Sequence, residues 1–366
     1  MLNVAKMNTL RLTGFSIIFA WLSLFSPFFP TSCPEFIKLF LFIFFVTLLP
    51  EDEDARQIFN FADWPVWLFI IVLNSGVISF VNGGIDLRVY INLVTNMFLL
   101  FYIGKMLFYD GKNRKSIISL ICFFSGLVAL LGILEVVAGF NLYYRYLEPA
   151  YRLRFVLPVS TQGSTSLLST YLLMTIPFSF YFLNMQETGF RRFGWAILIL
   201  NTACLLLTFN FRIILALIII LIFYFVIQKK YKAAFFLGVF SLLFSVYALF
   251  SAHLFYPFIV TNSVNLMKDM SCSYRVARIG MASMMLKANL LFGIDFLGFL
   301  ILIIYLFKKG FTKYIRFSQS DKKRKLLFAG MASLLVLFID MPTYEVLFWN
   351  NPYMLFCFIC GMILAL

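Results

Sequence analysis

Long apolar runs dominate the chain. Stretches able to cross a bilayer, about 20 residues each, fall near 12–30, 34–50, 64–82, 88–109, 117–140, 165–185, 194–210, 213–228, 233–253, 293–308, 326–342 and 350–366. Inside lipid such a run must satisfy its own backbone hydrogen bonds, which predicts helices. The expected fold is all-α: a polytopic transmembrane bundle of about 12 helices, with residues 1–366 forming a single integral membrane domain. The first run lacks a small-residue cleavage site and ends in Ser26-Pro27-Phe28-Phe29-Pro30, so it reads as the first span and not as a cleaved leader.

The connectors between the runs alternate in charge. One side holds Lys6, Arg11, Arg56, Lys112, Arg114, Lys115, Arg191, Arg192, Lys229, Lys230, Lys232 and a basic loop over about 308–325 with Lys308, Lys309, Lys313, Arg316, Lys322, Lys323, Arg324 and Lys325. The positive-inside rule puts that side, and both termini, in the cytoplasm. The acidic run Glu51-Asp52-Glu53-Asp54 falls in a cytoplasmic connector and reads as solvated. On the opposite side two longer outer loops stand out, about 141–164 and about 254–292. Residues 274–292 of the second read as an amphipathic helix, with Met281, Met284, Met285 and Leu286 on one side and Arg275, Arg278 and Lys287 elsewhere.

Composition agrees with this class. Hydrophobic residues make up 62% and charged ones 13%, with 48 phenylalanines, against roughly 45–50% and 25% in soluble domains. The net charge of +14 is mostly a topology signal, so nucleic acid is not an expected partner. Cys357 and Cys360 have C-x-x-C spacing but sit inside an apolar run, where packing is their expected role. Cys33 and Cys272 both fall on the outer side, which leaves a disulfide between them open. No internal repeat supports a transporter built from inverted halves.

Candidate chemistry lies on the outer side. That face should be poor in cations, yet it carries Arg88, Arg145, Arg152, Arg154, Arg212, Lys268, Arg275, Arg278 and Lys287. Snorkelling at helix ends is one account of them; the sharper one is an anion site, because a guanidinium grips phosphate oxygens bidentately without changing protonation. Arg212 is the most informative, since Thr208-Phe209-Asn210-Phe211-Arg212 joins two apolar runs with almost no loop. Carboxylates at or near membrane depth are few: Glu135, Asp295, Asp340 and Glu345, with Glu148 in the first outer loop. Each either pairs an arginine or serves as a general base toward a hydroxyl. The single histidine, His253, lies at the outer end of its run. No residues have metal-ligand spacing, and no nucleotide or cofactor fingerprint is present.

Three segments together resemble the bacterial O-antigen ligase and O-antigen polymerase superfamily over about residue 117 to the end. They are Arg154-Phe-Val-Leu-Pro-Val-Ser-Thr-Gln-Gly163 followed by Tyr171-Leu172-Leu173 and Ile176-Pro177; the turn Thr208–Arg212; and Tyr274-Arg275 through Gly293-Ile294-Asp295. Arg152 and Gly163 also have the Arg-x10-Gly spacing of the polymerase branch. The resemblance implies a glycosyltransferase acting at the outer face of the bacterial inner membrane, in surface polysaccharide or lipopolysaccharide biosynthesis. Its donor would be an undecaprenyl-pyrophosphate-linked glycan and its acceptor a glycan or lipid A-core, with no metal and no cofactor. Arg212 and Arg275 would be catalytic, stabilising the leaving pyrophosphate, and Arg152, Arg154 and Arg278 would bind substrate. The ligase branch has a histidine in the outer loop after its Gly-x-Gly element, for which this chain has no counterpart; His253 precedes Arg275, so only arginines carry over. Polymerase and ligase stay open, and the other readings are a lipid-linked oligosaccharide flippase or exporter and a degenerate, non-catalytic member of the superfamily.

Overall fold

A computed structural model describes residues 100–109, 114–139, 158, 160–162, 165–183, 185–208, 211–239, 290–318, 322–340 and 350–366; the side chains at 166, 211, 212, 290–301, 337–340 and 350–354 are not described. The described part is helical, with no strand. In chain order the helices are α1 (Leu100–Tyr109), α2 (Arg114–Ala138), α3 (Thr165–Leu183), α4 (Thr188–Leu207), α5 (Phe211–Ile227), α6 (231–239), α7 (Leu290–Arg316), α8 (Lys322–Asp340) and α9 (Asn350–Ala365). A single 3-10 turn, Ser160–Gln162, precedes α3. The apolar runs expected before residue 88, and most of 88–109, lie outside the described residues.

Helix α3 is the hub. It packs against α2, α4, α5, α8 and α9, and every side chain from Leu167 to Phe182 is buried. A helix covered on all sides has no polar face to show solvent, so its hydroxyls must be satisfied locally. Thr175 and Ser179 donate to the carbonyls of Leu172 and Ile176. Pro177 lies inside α3 and takes away the backbone donor owed to residue 173. Beside that break, Ser333 of α8 donates to the Met174 carbonyl at 2.7 Å. Replacing Ser333 with alanine is expected to destabilise the fold by about 1 kcal/mol, read as a lower melting temperature in detergent; an unchanged melt would remove this bond from the account.

Helices α1 and α9 cross closely. A Cβ at Gly361 would collide with the backbone of Phe101 and Lys105, and one at Gly104 with the backbone of Phe358. Each glycine thus faces the other helix's main chain, the small-residue contact that lets apolar helices approach by van der Waals packing alone. Cys357 and Cys360 lie in α9 as buried free thiols, in keeping with a packing role.

The interior is mainly apolar with scattered polar side chains, and apolar side chains also cover part of the outer surface. The interior holds Ser125, Glu135, Ser169, Thr170, Thr175, Ser179 and Asn201. The outer surface shows Phe123, Leu130, Leu134 and Val137 on α2 and Trp195, Ile199 and Leu206 on α4. Helices α2 and α4 are long and apolar enough to cross a membrane, and Leu167–Leu183, Ile213–Ile227 and Leu355–Ala365 are shorter apolar helices.

Basic residues gather at one end of the bundle. There Lys115 at the start of α2 meets Glu187 before α4 at 2.8 Å and covers the Phe190 ring. Lys313 near the end of α7 donates to the last carbonyls of α9, at Leu364 (3.0 Å) and Ile363 (3.4 Å), a favourable place for a cation on a helix dipole. Arg324 near the start of α8 lies over the Tyr314 ring at 4.3 Å. The segment expected as a basic loop, 308–325, is largely helical: α7 runs on to Arg316 and α8 begins at Lys322. Lysine and arginine are good helix formers, so charge ends the apolar run without ending the helix.

Candidate functional site

At the end away from the basic cluster, the chain between α2 and α3 comes back into the bundle. Pro158 and Ser160–Gln162 are buried, although their segment reads as the tail of a loop. The Ser160 hydroxyl donates to the Val128 carbonyl at 2.7 Å. Val128 lies ten residues before the end of α2, so the turn is inserted about 15 Å below that end.

A carboxylate fixes the turn. Glu135 is 2% exposed, and its Oε2 accepts the Ser160 backbone N–H at 2.7 Å. A helical side chain leans toward its own N-terminus, which lets Glu135 reach a turn seated below it. Ser160 holds φ at 51°, the left-handed region that a serine seldom occupies, so its two hydrogen bonds offset a backbone strain. A Cβ at Gly132 would meet Cys204 Sγ at 2.8 Å and Pro158 Cβ at 3.3 Å; the missing side chain leaves room for the turn. Removing the acceptor with Glu135→Ala should cost about 1–3 kcal/mol, because a buried N–H loses its partner. Glu135→Gln, which keeps a carbonyl acceptor, should lose less, and equal melting temperatures for the two variants would contradict this role for the carboxylate.

Beside this turn, α4 ends and α5 begins. The Thr208 hydroxyl donates to the Leu205 carbonyl at 2.6 Å, closing α4. Arg212 is the second residue of α5, and its side chain is not among those described. A residue there stands at the positive end of the helix dipole, where anions are favoured. Asp295 lies in the second turn of α7 and Asp340 is the last residue of α8, so the register brings both to the same end of the bundle as Arg212 and Glu135. The Gly293-Ile294-Asp295 element is helical, since α7 starts at Leu290.

Of the five arginines proposed from sequence, only the backbone of Arg212 is described. Arg152, Arg154, Arg275 and Arg278 lie outside the described residues, as do Glu148, His253, Glu345, Cys33, Cys272 and residues 274–289. Among the described residues no group of three His, Cys, Asp or Glu side chains could hold a metal ion. Sequence reasoning noted Glu135 as a carboxylate near membrane depth but missed the turn it holds. The signal was the apolar stretch Phe155–Val159 in a segment otherwise rich in arginine and tyrosine. The chain matches no protein-family model, no curated protein and no solved structure.

Proposed function

We propose that this chain is a multi-span glycosyltransferase of the bacterial inner membrane, with its basic end and both termini in the cytoplasm. It would transfer a glycan from an undecaprenyl pyrophosphate to a glycan or lipid A-core acceptor at the outer face. Apolar side chains exposed along α2 and α4 support the membrane assignment, because lipid tolerates an apolar exterior that water would not. The observation that carries the catalytic reading is Arg212 one residue into α5, at the end opposite the basic cluster.

In the reaction, the acceptor hydroxyl oxygen bonds to the anomeric carbon while the bond from that carbon to the pyrophosphate oxygen breaks. Negative charge grows on the departing polyprenyl pyrophosphate, and the hydroxyl gives up its proton. Arg212 and Arg275 would stabilise the growing charge, with Arg152, Arg154 and Arg278 gripping the donor. Asp295 and Asp340 are the carboxylates whose position on their helices suits them to take the proton. Glu135 is committed to Ser160 and serves the scaffold.

The test is Arg275→Ala in a strain relying on this copy, followed by electrophoresis of its surface polysaccharide. The expected result is short or unattached glycan from a normally inserted protein. Unchanged glycan length and attachment would remove Arg275 from the mechanism.

A further inference from the structure

The basic end carries a feature that glycan transfer at the opposite face does not use. A cavity of about 260 Å³ lies between α3, α5, α7 and α8, lined by Phe180, Tyr224, Lys229, Tyr314, Arg324 and Lys325, with Phe328 at its wall. Three cations line it and no carboxylate does. Its apolar side is a ring cluster: Phe180 stacks on Tyr224 at 4.5 Å, and Phe328 contacts Tyr224 at 5.6 Å. Arg324 lies over Tyr314 and uses one guanidinium nitrogen on the Phe317 carbonyl. Lys325 precedes the apolar run 326–342; burial, with Lys322 adding to it, pulls its ammonium below the ordinary lysine range.

Lys229 supplies a second, independent observation. Helix α5 ends in a Schellman cap, with the Lys230 N–H on the Phe225 carbonyl (2.9 Å) and the Lys229 N–H on the Val226 carbonyl (3.0 Å). The position Lys229 occupies in that cap is left-handed, and Lys229 has φ of 58°. Glycine fills it in most proteins, since an L side chain there is strained. A lysine in a glycine position, with its side chain lining a cationic cavity, points to a use for the charge.

The geometry points to a phosphate site: the cavity holds the headgroup phosphate of an anionic phospholipid, with Lys229, Arg324 and Lys325 on the phosphate oxygens and the Phe180–Tyr224–Phe328 cluster beside the lipid's apolar part. Arginine and lysine supply hydrogen bonds and charge to phosphate, and the aromatic wall favours an amphiphile over a bare ion. The choice of lipid rests on the membrane reading above; the phosphate chemistry does not.

The experiment uses the full chain purified in neutral detergent and follows its melting temperature. Probes are phosphatidylglycerol and phosphatidylcholine in mixed micelles, and inorganic phosphate alone. Phosphatidylglycerol at about a hundredfold excess over its Kd is expected to raise the melting temperature by roughly 3–5 °C, with little effect from phosphatidylcholine or inorganic phosphate. Lys229→Gly restores the usual cap residue, so that variant should fold and melt at or above wild type, yet lose most of the lipid shift. Arg324→Gln should lose it too, whereas Arg191→Gln with Arg192→Gln, charges on α4 at the same end, should keep it. Absence of a wild-type shift, or a full shift in Lys229→Gly and Arg324→Gln, would overturn the site. An equal shift from inorganic phosphate would overturn lipid as the source of the phosphate.

Discussion

Gly361→Leu is expected to destabilise the fold by about 3 kcal/mol or more, the largest stability loss among the substitutions considered. The α1–α9 crossing has no slack, because a Cβ at Gly361 already overlaps the Phe101 carbonyl and would lie 2.7 Å from the Lys105 nitrogen. Backbone cannot rotate away as a side-chain tip can, so the helices must separate, opening contacts such as the Phe108–Phe358 ring pair at 5.8 Å. Separation is costly because association in lipid rests on packing, with no hydrophobic drive to hold loosened helices together. Gly361→Ala should show a smaller loss in the same direction. Detergent-solubilised protein followed by size-exclusion chromatography and thermal melting reads both, and a leucine variant that melts with wild type would contradict the crossing.

Arg212→Ala is expected to lower glycan transfer by about 10²–10³-fold, the usual cost of removing one donor that meets charge formed in the transition state. The loss should fall on kcat more than on KM, because the pyrophosphate gains charge only as the bond to sugar breaks. Arg212→Lys keeps the charge but loses the planar fork, so it should fall between wild type and alanine. Release of polyprenyl pyrophosphate from a lipid-linked donor by reconstituted protein measures all three. Alanine and wild type turning over equally would leave Arg212 with no part in the reaction.

How much was legible in the sequence differs from element to element. The runs 117–140, 165–185 and 350–366 reappear as α2 (Arg114–Ala138), α3 (Thr165–Leu183) and α9 (Asn350–Ala365), because length and apolarity are local properties. The run 293–308 fell short of α7 at both ends, since Leu290–Phe292 and the lysine-rich turns to Arg316 keep helical geometry without continuous apolarity. The inserted Pro158–Gln162 turn was not legible: its burial depends on Glu135, some 25 residues earlier, supplying an acceptor for Ser160. Gly104 and Gly361 gave no signal either, because each is a lone glycine in its helix and their meeting is a tertiary fact. By sequence Lys229 is one more cytoplasmic cation, since a left-handed cap is ordinarily announced by glycine. For the candidate site, the sequence puts Arg212 in the short turn between two apolar runs, and the structure has it as the second residue of α5. Whether two arginines share a site is a long-range property that spacing along the chain does not encode.

The most direct measurement is a cryo-electron microscopy map of the full chain in a nanodisc with a short polyprenyl pyrophosphate bound. The account predicts diphosphate density at the mouth of α5, within hydrogen-bonding distance of both Arg212 and Arg275, on the face opposite the Lys229–Arg324 end. Arg212 and Arg275 directed apart, each held by its own carboxylate with the diphosphate bound elsewhere, would contradict it.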